Sequence, residues 1–282
     1  MYTHYMHSAY VSCIVYVTLV LSERGDMNPE TSRTGKAGVW LSDPSASAVE
    51  IAAQVGYDTV VLDVEHGAFD LPSLNWLIPF IRARGMEALV KVLGPSREAI
   101  QQALDMGANA VAVPHIESKE HAAEVCGYAK FPPMGERSFA GGRTSRYGGF
   151  SDDWLLQQDL GTRCFPMIED ASAYRDIEEI LALDVVDGIF VGPSDLSMRR
   201  NRGAYDAGTE DLEDIRLLAQ AARQAGKPWV LPAWSPQEKE LAVREDAELV
   251  ILTMQYGALL QGFQSAHASL TKINRAPERV EA

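Results

Sequence analysis

Three titratable side chains, Asp63, Glu65 and His66, crowd the end of the apolar run in "VVLDVEHGAFD" (residues 60–70), and Gly67 follows at once. Either the strand surfaces there and its charges are solvated, or its end is a reaction site. An imidazole oriented by a carboxylate is suited to general-base work, with His66 as base and Asp63 as its partner. The pair carries a geometric condition. Residues three apart on a regular strand face opposite sides, so the chain must bend beyond Glu65, which Gly67 allows.

Further reactive types fall at comparable places. Lys91 lies in "LVKVLGPS", His115 closes "AVAVPHI", Glu169 lies in "MIED" and Asp195 in "GPSD". Two carboxylates such as Glu169 and Asp195 make a sparse site for Mg²⁺ or Mn²⁺, with water and substrate oxygens filling the rest. Gly192 and Pro193 shape a turn whose amides at Ser194 and Asp195 can face an anion. Taken singly, each residue has a bland explanation as a helix cap, a solvated acid or a snorkelling lysine. His115 by itself reads as structural rather than catalytic. Their co-location is what points to a site.

The elements that must position these groups follow one rhythm from residue 38 onward. Strands are expected at 38–42, 59–66, 87–93, 110–116, 163–169, 188–195, 228–233 and 249–255. Helical periods lie between them. Residues 45–56 place Ala48, Ile51, Ala52 and Val55 on one face, with Gly56 as a stop. Residues 96–107 follow a Ser96 cap, turn Ala99, Ile100, Ala103 and Leu104 inward, and stop at Gly107. Eight βα units in about 230 residues predict an α/β fold of the (β/α)₈ TIM barrel class. Chemistry in such a barrel sits at the C-terminal ends of strands. The reactive residues above all fall there, whereas strand starts read as less charged. Neither GxGxxG nor GxxxxGK[ST] occurs, which weakens nucleotide-binding alternatives.

Two loops interrupt the rhythm. Residues 131–150, "FPPMGERSFAGGRTSRYGGF", are too long for an ordinary βα turn and offer Arg137, Arg143 and Arg146 as anion contacts. Residues 196–210 carry Arg199, Arg200 and Arg202, which suit an acidic ligand or simply a solvated basic loop.

The chain of 282 residues carries a formal charge of −14, which argues against nucleic acid and anionic membranes as partners. Cys13, Cys126 and Cys164 are few, odd in number and without metal-ligand spacing, as in a protein of a reducing cytoplasm. The apolar stretch 10–21 is too short to span a bilayer and lacks the basic residues and cleavage site of an export signal. The expected organisation is an N-terminal extension outside the fold (1–35), with Met27 as an alternative initiator, a barrel (36–275) and a short C-terminal tail (276–282).

As an ordered set, "LDVEHG", "GANAVAVPHIES", "FPPMGERS", "MIED" and "VDGIFVGPSDLS" resemble the HpcH/HpaI class II pyruvate aldolases, of the phosphoenolpyruvate/pyruvate barrel superfamily, over residues 36 to 270. The resemblance implies a (β/α)₈ barrel, a homo-oligomer (hexamer or trimer), and a divalent cation, Mg²⁺, Mn²⁺ or Co²⁺. The implied reaction is reversible cleavage of 4-hydroxy-2-oxo acids to pyruvate and an aldehyde. By the same resemblance Glu169 and Asp195 hold the metal, and His66 is the base with Asp63 behind it. The amides of Ser194 and Asp195 take the pyruvate carboxylate.

Lys91 stands where the family usually carries Arg. It keeps a charge able to meet an enolate or a C4 alkoxide but forfeits the bidentate fork. A Schiff-base role for Lys91 is the lesser reading. The rival functions are a citrate or malyl-CoA lyase and a non-catalytic barrel that binds oxo acids.

Overall fold

The second strand, Thr59–Asp63, is buried at every position. A strand with no wet face belongs in a parallel sheet covered on both sides. The computed structural model describes residues 35–274, with side chains up to residue 270, and closes eight such strands into a barrel. They are β1 (Lys36–Leu41), β2 (Thr59–Asp63), β3 (Glu87–Lys91), β4 (Ala110–Val113), β5 (Arg163–Ile168), β6 (Ile189–Val191), β7 (Trp229–Pro232) and β8 (Leu249–Met254). Every neighbouring pair is parallel, and chain order is barrel order. The described residues belong to one unit, Thr34–Ala282. The expected N-terminal extension and C-terminal tail lie outside the described residues.

Between the strands run α1 (Ala46–Val55), α2 (Leu71–Ala83), α3 (Arg97–Asp105), α4 (Lys119–Gly127), α5 (Asp152–Gly161), α6 (Ala171–Arg175) and α7 (Ile177–Leu181). Then follow α8 (Pro193–Arg199), α9 (Thr209–Gln224), α10 (Pro236–Arg244) and α11 (Gln255–Asn274). Their starts are chemically marked. Ser45, Ser96 and Ser118 each accept a first-turn amide through the side chain, satisfying a donor that has no partner within the helix. Gly56 and Gly107 take positive φ (96° and 97°) where α1 and α3 end, a conformation glycine adopts without a Cβ penalty.

Alternate strand residues build two layers. Trp40, Val61, Leu89, Phe165, Met167 and Phe190 fill the barrel interior. Val60, Leu62, Val90, Val111 and Ile168 face outward into the helical layer. Full burial of such a side chain contributes roughly 1.5–3 kcal/mol.

Two expectations need correction. Ile51 and Val55 of α1 are 60% and 68% exposed, while Val49 and Ala52 carry the buried face. Ile51 and Val55 line an apolar groove of about 330 Å³, together with Val39, Tyr57, Ala258 and Leu259. The strand starts are also not poor in charge. Lys36 Nζ meets Glu87 Oε1 at 2.8 Å, Arg163 Nη2 meets Glu87 Oε2 at 2.8 Å, and Arg163 Nη1 bonds Glu248. These four side chains come from β1, β3, β5 and the residue before β8, so they form an ion-pair web across the N-terminal mouth. Sequence inspection sees only isolated charges there, because their pairing depends on barrel closure.

The last helix, α11, begins against the barrel through Gln255, whose Oε1 accepts the Ser42 and Asp43 amides at 3.0 and 3.2 Å. Beyond that point Leu259, Leu260, Phe263 and Leu270 stay exposed. No helix among the described residues is long and apolar enough to cross a membrane.

Candidate active site at the C-terminal rim

Parallel pairing brings the ends of β2, β3 and β4 side by side, with Asp63 opposite Lys91 and Lys91 opposite Ala112. Beyond Asp63 the chain turns at once. Gly67 N–H donates to Asp63 O at 2.9 Å, and Ala68 N–H to Ser42 O at 2.8 Å. A Cβ on Gly67 would lie 2.3 Å from Asp63 O and 2.6 Å from Ser42 O, so the turn admits only glycine without a backbone shift. The expected bend therefore exists, but it begins at Val64 rather than beyond Glu65.

That turn divides the expected dyad. Asp63 Oδ1 accepts the backbone N–H of His66 at 3.2 Å, and Asp63 Oδ2 accepts Trp40 Nε1 at 3.2 Å. The imidazole goes elsewhere: His66 Nε2 lies 3.4 Å from Glu65 Oε2, and the ring is 65% exposed at the rim. Asp63 thus holds the backbone that presents His66, and Glu65 faces the ring.

Glu65 is the hub of the cluster. Its Oε2 is 2.5 Å from Lys91 Nζ, and its Oε1 accepts His115 Nε2 at 2.5 Å. Lys91 also approaches Asp63 Oδ1 at 3.4 Å and lies over the Trp40 ring at 5.6 Å. Burial pushes the Glu65 carboxyl up, but the hydrogen bond and charge of Lys91, helped by His66 and His115, outweigh it and hold the group below its ordinary value.

A second carboxylate centre lies across the rim. Pairing of Ile168 with Val191 sets Glu169, just past β5, against Gly192, just past β6. A Cβ on Gly192 would fall 2.8 Å from both Cβ and Oε2 of Glu169, so the bare glycine makes the space that the carboxylate occupies. Glu169 Oε1 accepts the His115 amide at 2.7 Å. Burial raises the Glu169 carboxyl above its ordinary value, and the nearby charge of Asp195 pushes the same way against the His115 amide and Lys91. Asp195 and Ser194 sit in the first turn of α8, where backbone amides lack partners within the helix.

The structure thus joins Asp63, His66 and Lys91 with Glu65, and sets Glu169 near Asp195. Glu65, His115 and Trp40 are functional candidates that sequence reading left without a role. Only the crowding of "DVEHG" signalled Glu65; nothing in the sequence signalled the Trp40 contact.

Several of the loop arginines have partners of their own. Arg137 is buried on Asp105 (2.9 Å), and Arg143 donates to Met106 O (2.9 Å) and Asn75 O (3.0 Å), so both tie the 131–150 loop to neighbouring helices. Arg199 pairs with Asp170 at 2.9 Å and Arg200 with Asp214 at 2.9 Å, while Arg202 is ion-paired with Asp214.

Residues 36–255 match the model of the HpcH/HpaI aldolase/citrate lyase family. The chain belongs to that family. A 2-keto-3-deoxy-L-rhamnonate aldolase of Klebsiella pneumoniae subsp. pneumoniae is 31% identical, over 78% of this chain and 82% of the relative. A 4-hydroxy-2-oxovalerate aldolase of Novosphingobium aromaticivorans is 35% identical over 57% of this chain and 61% of its own length. The crystal structure of an HpcH/HpaI aldolase from Desulfitobacterium hafniense DCB-2 superposes with a TM-score of 0.77 at 26% identity, covering 87% of this chain and 95% of that one. These relatives are named as aldolases, and membership of the family gives this chain the enzyme class of a carbon–carbon lyase.

Proposed function

We propose that this chain is a divalent-metal-dependent aldolase that reversibly cleaves a 4-hydroxy-2-oxo acid to pyruvate and an aldehyde. The observation that carries the reading is the buried Glu169 carboxylate, held against Gly192 within the field of a second carboxylate, Asp195. Two like charges brought together at a buried rim call for a cation, and an all-oxygen donor pair suits Mg²⁺, Mn²⁺ or Co²⁺. Among the described residues no group of three or more His, Cys, Asp or Glu side chains is arranged to hold a metal. Glu169 and Asp195 would hold the ion, with positions left for water and substrate. When bound, it supplies Lewis-acid stabilisation where negative charge develops on the oxo acid.

The remaining steps belong to side chains of this chain. The first-turn amides of Ser194 and Asp195 receive the substrate carboxylate. His66, exposed on the rim and held through its backbone by Asp63, takes the proton of the C4 hydroxyl. C3–C4 then breaks: the C4 oxygen becomes the aldehyde carbonyl, and the bonding pair passes to the pyruvate enolate. A proton delivered to C3 completes pyruvate. Lys91 adds positive charge beside the developing anion through the Glu65 cluster. With Nζ on Glu65 and near Asp63, it is placed as a charge rather than as a free nucleophilic amine, which favours enolate chemistry over a Schiff base.

The test is pyruvate release from a panel of 4-hydroxy-2-oxo acids, before and after EDTA and with Mg²⁺ or Mn²⁺ restored. Expected is loss on chelation, recovery with metal, and a rise in Tm on adding Mg²⁺ that Glu169→Gln removes. Metal-independent turnover surviving in Glu169→Ala would overturn the scheme. Turnover confined to thioesters would instead favour a citrate or malyl-CoA lyase.

We also propose a homo-oligomer, hexamer or trimer. The exposed apolar face of α11 and the apolar groove beside α1 support it. Cys126 and Cys164, neighbouring buried thiols that are unbridged, suit a reducing cytoplasm.

A further inference from the structure

We infer that His115 is a positioning residue for the cleavage reaction, completing with Lys91 a two-part clamp on Glu65 and tying that clamp to Glu169. The inference deepens the aldolase reading and rests on it.

A buried carboxylate has two oxygens to satisfy, and Glu65, with its side chain 8% exposed, is such a group. A lysine ammonium is a point charge on a flexible stem and engages one direction well; a guanidinium spans both oxygens with parallel bonds. Lys91 takes Oε2 at 2.5 Å, and the other oxygen is met by His115 Nε2, also at 2.5 Å. Two side chains from neighbouring strand ends thus do together what one arginine at position 91 could do alone.

His115 reaches this position at a conformational cost. Its φ is 59°, a region that residues bearing a Cβ rarely occupy. Such a conformation persists where the surroundings over-determine it. Here the same turn of backbone aims the amide at Glu169 Oε1 (2.7 Å) and carries the ring to Glu65, with Nδ1 3.5 Å from Glu169 Oε1. One residue therefore spans the Lys91–Glu65 cluster and the proposed metal carboxylate. The bond to Glu65 needs only an N–H at Nε2, which a neutral or a charged ring can supply, so the role does not depend on titration. The ring is 43% exposed at the rim, which sets it apart from a histidine packed into the core.

His115→Gly separates the two roles. It keeps the amide on Glu169, removes the ring and relieves the positive φ. Expected is an unchanged or higher Tm, a kcat lowered about 10–100-fold with KM little altered, and a comparable weakening of oxalate binding by calorimetry in Mg²⁺. His115→Gln, which can return an N–H toward Glu65, should recover much of the loss. In a Lys91→Arg background, where the guanidinium can take both Glu65 oxygens, His115→Gly should cost far less. A fold-loss equal in both backgrounds, or full kcat and oxalate affinity in His115→Gly, would overturn the inference. Should Lys91→Arg fail to fold, the Gly and Gln variants still decide it. A wild-type protein that releases no pyruvate sinks the aldolase reading instead, and oxalate affinity then remains as the readout for the clamp.

Discussion

The amide of His66 is hydrogen-bonded to Asp63 Oδ1 at 3.2 Å, while its imidazole Nε2 lies 3.4 Å from Glu65. Asp63 therefore anchors the turn, and the ring stands exposed at the rim beside Glu65. His66→Ala should lower kcat by about 10²–10⁴-fold, the usual contribution of a general base. Because the ring is exposed, Tm should stay within a degree or two of wild type, about the shift expected of a surface substitution. Retained turnover, read by pyruvate release, would remove His66 from the mechanism.

Gly192 makes room for Glu169. In Gly192→Ala the new methyl would press on the Glu169 carboxylate, 2.8 Å away before any relaxation. Mg²⁺ or Mn²⁺ affinity should fall about 10–100-fold, as when a ligand's supporting contacts are disturbed. Calorimetric titration checks this, and unaltered metal affinity would show that Glu169 is not a ligand.

Glu65 gives a pH dependence of definite sign. Its folded value is held below the ordinary one, so its ionised form stabilises the fold at any pH above the unfolded value of about 4.3. That contribution disappears as pH falls through the lower folded value. Thermal scans between pH 7 and pH 3 should therefore show a shallower acid loss for Glu65→Gln than for wild type. Parallel curves would contradict the ion-pair account.

Phe263 and Leu259, 72% and 50% exposed on α11, test assembly. If this face is covered by another copy, Phe263→Glu combined with Leu259→Glu should shift the protein to smaller species in light scattering. A wild-type protein that is monomeric at every concentration would leave the apolar face to another role.

The fold was largely legible in the sequence, because barrel strands buried on both faces read as apolar runs and Ser and Gly mark the helix ends. The strand boundaries were less so. The run 59–66 ends as a strand at Asp63, 110–116 at Val113, and 188–195 at Val191. At each of these ends the chain leaves the ladder while its composition stays apolar or mixed, and period alone carries no mark of that exit. The site divided along the same line. Glu169, Asp195, His66 and Lys91 stood out because reactive residue types recur together at successive strand ends. The Glu65–His115 bond joins residues 50 apart on different strands and depends on a positive φ at a histidine, which no local pattern encodes. The pairing of Arg137 was hidden for a related reason: its carboxylate partner, Asp105, lies 32 residues away along the chain.

The Lys36–Glu87–Arg163–Glu248 web stands at the opposite end of the barrel from the reactive rim. It makes the two mouths chemically unequal. One end is cross-braced by ion pairs between strand starts; the other gathers the Glu65, Lys91 and His115 cluster with Glu169 at the strand ends. Changes confined to the rim loops need not loosen the seam where the strands begin, so the reactive end can vary while the closure of the barrel is held from the other side.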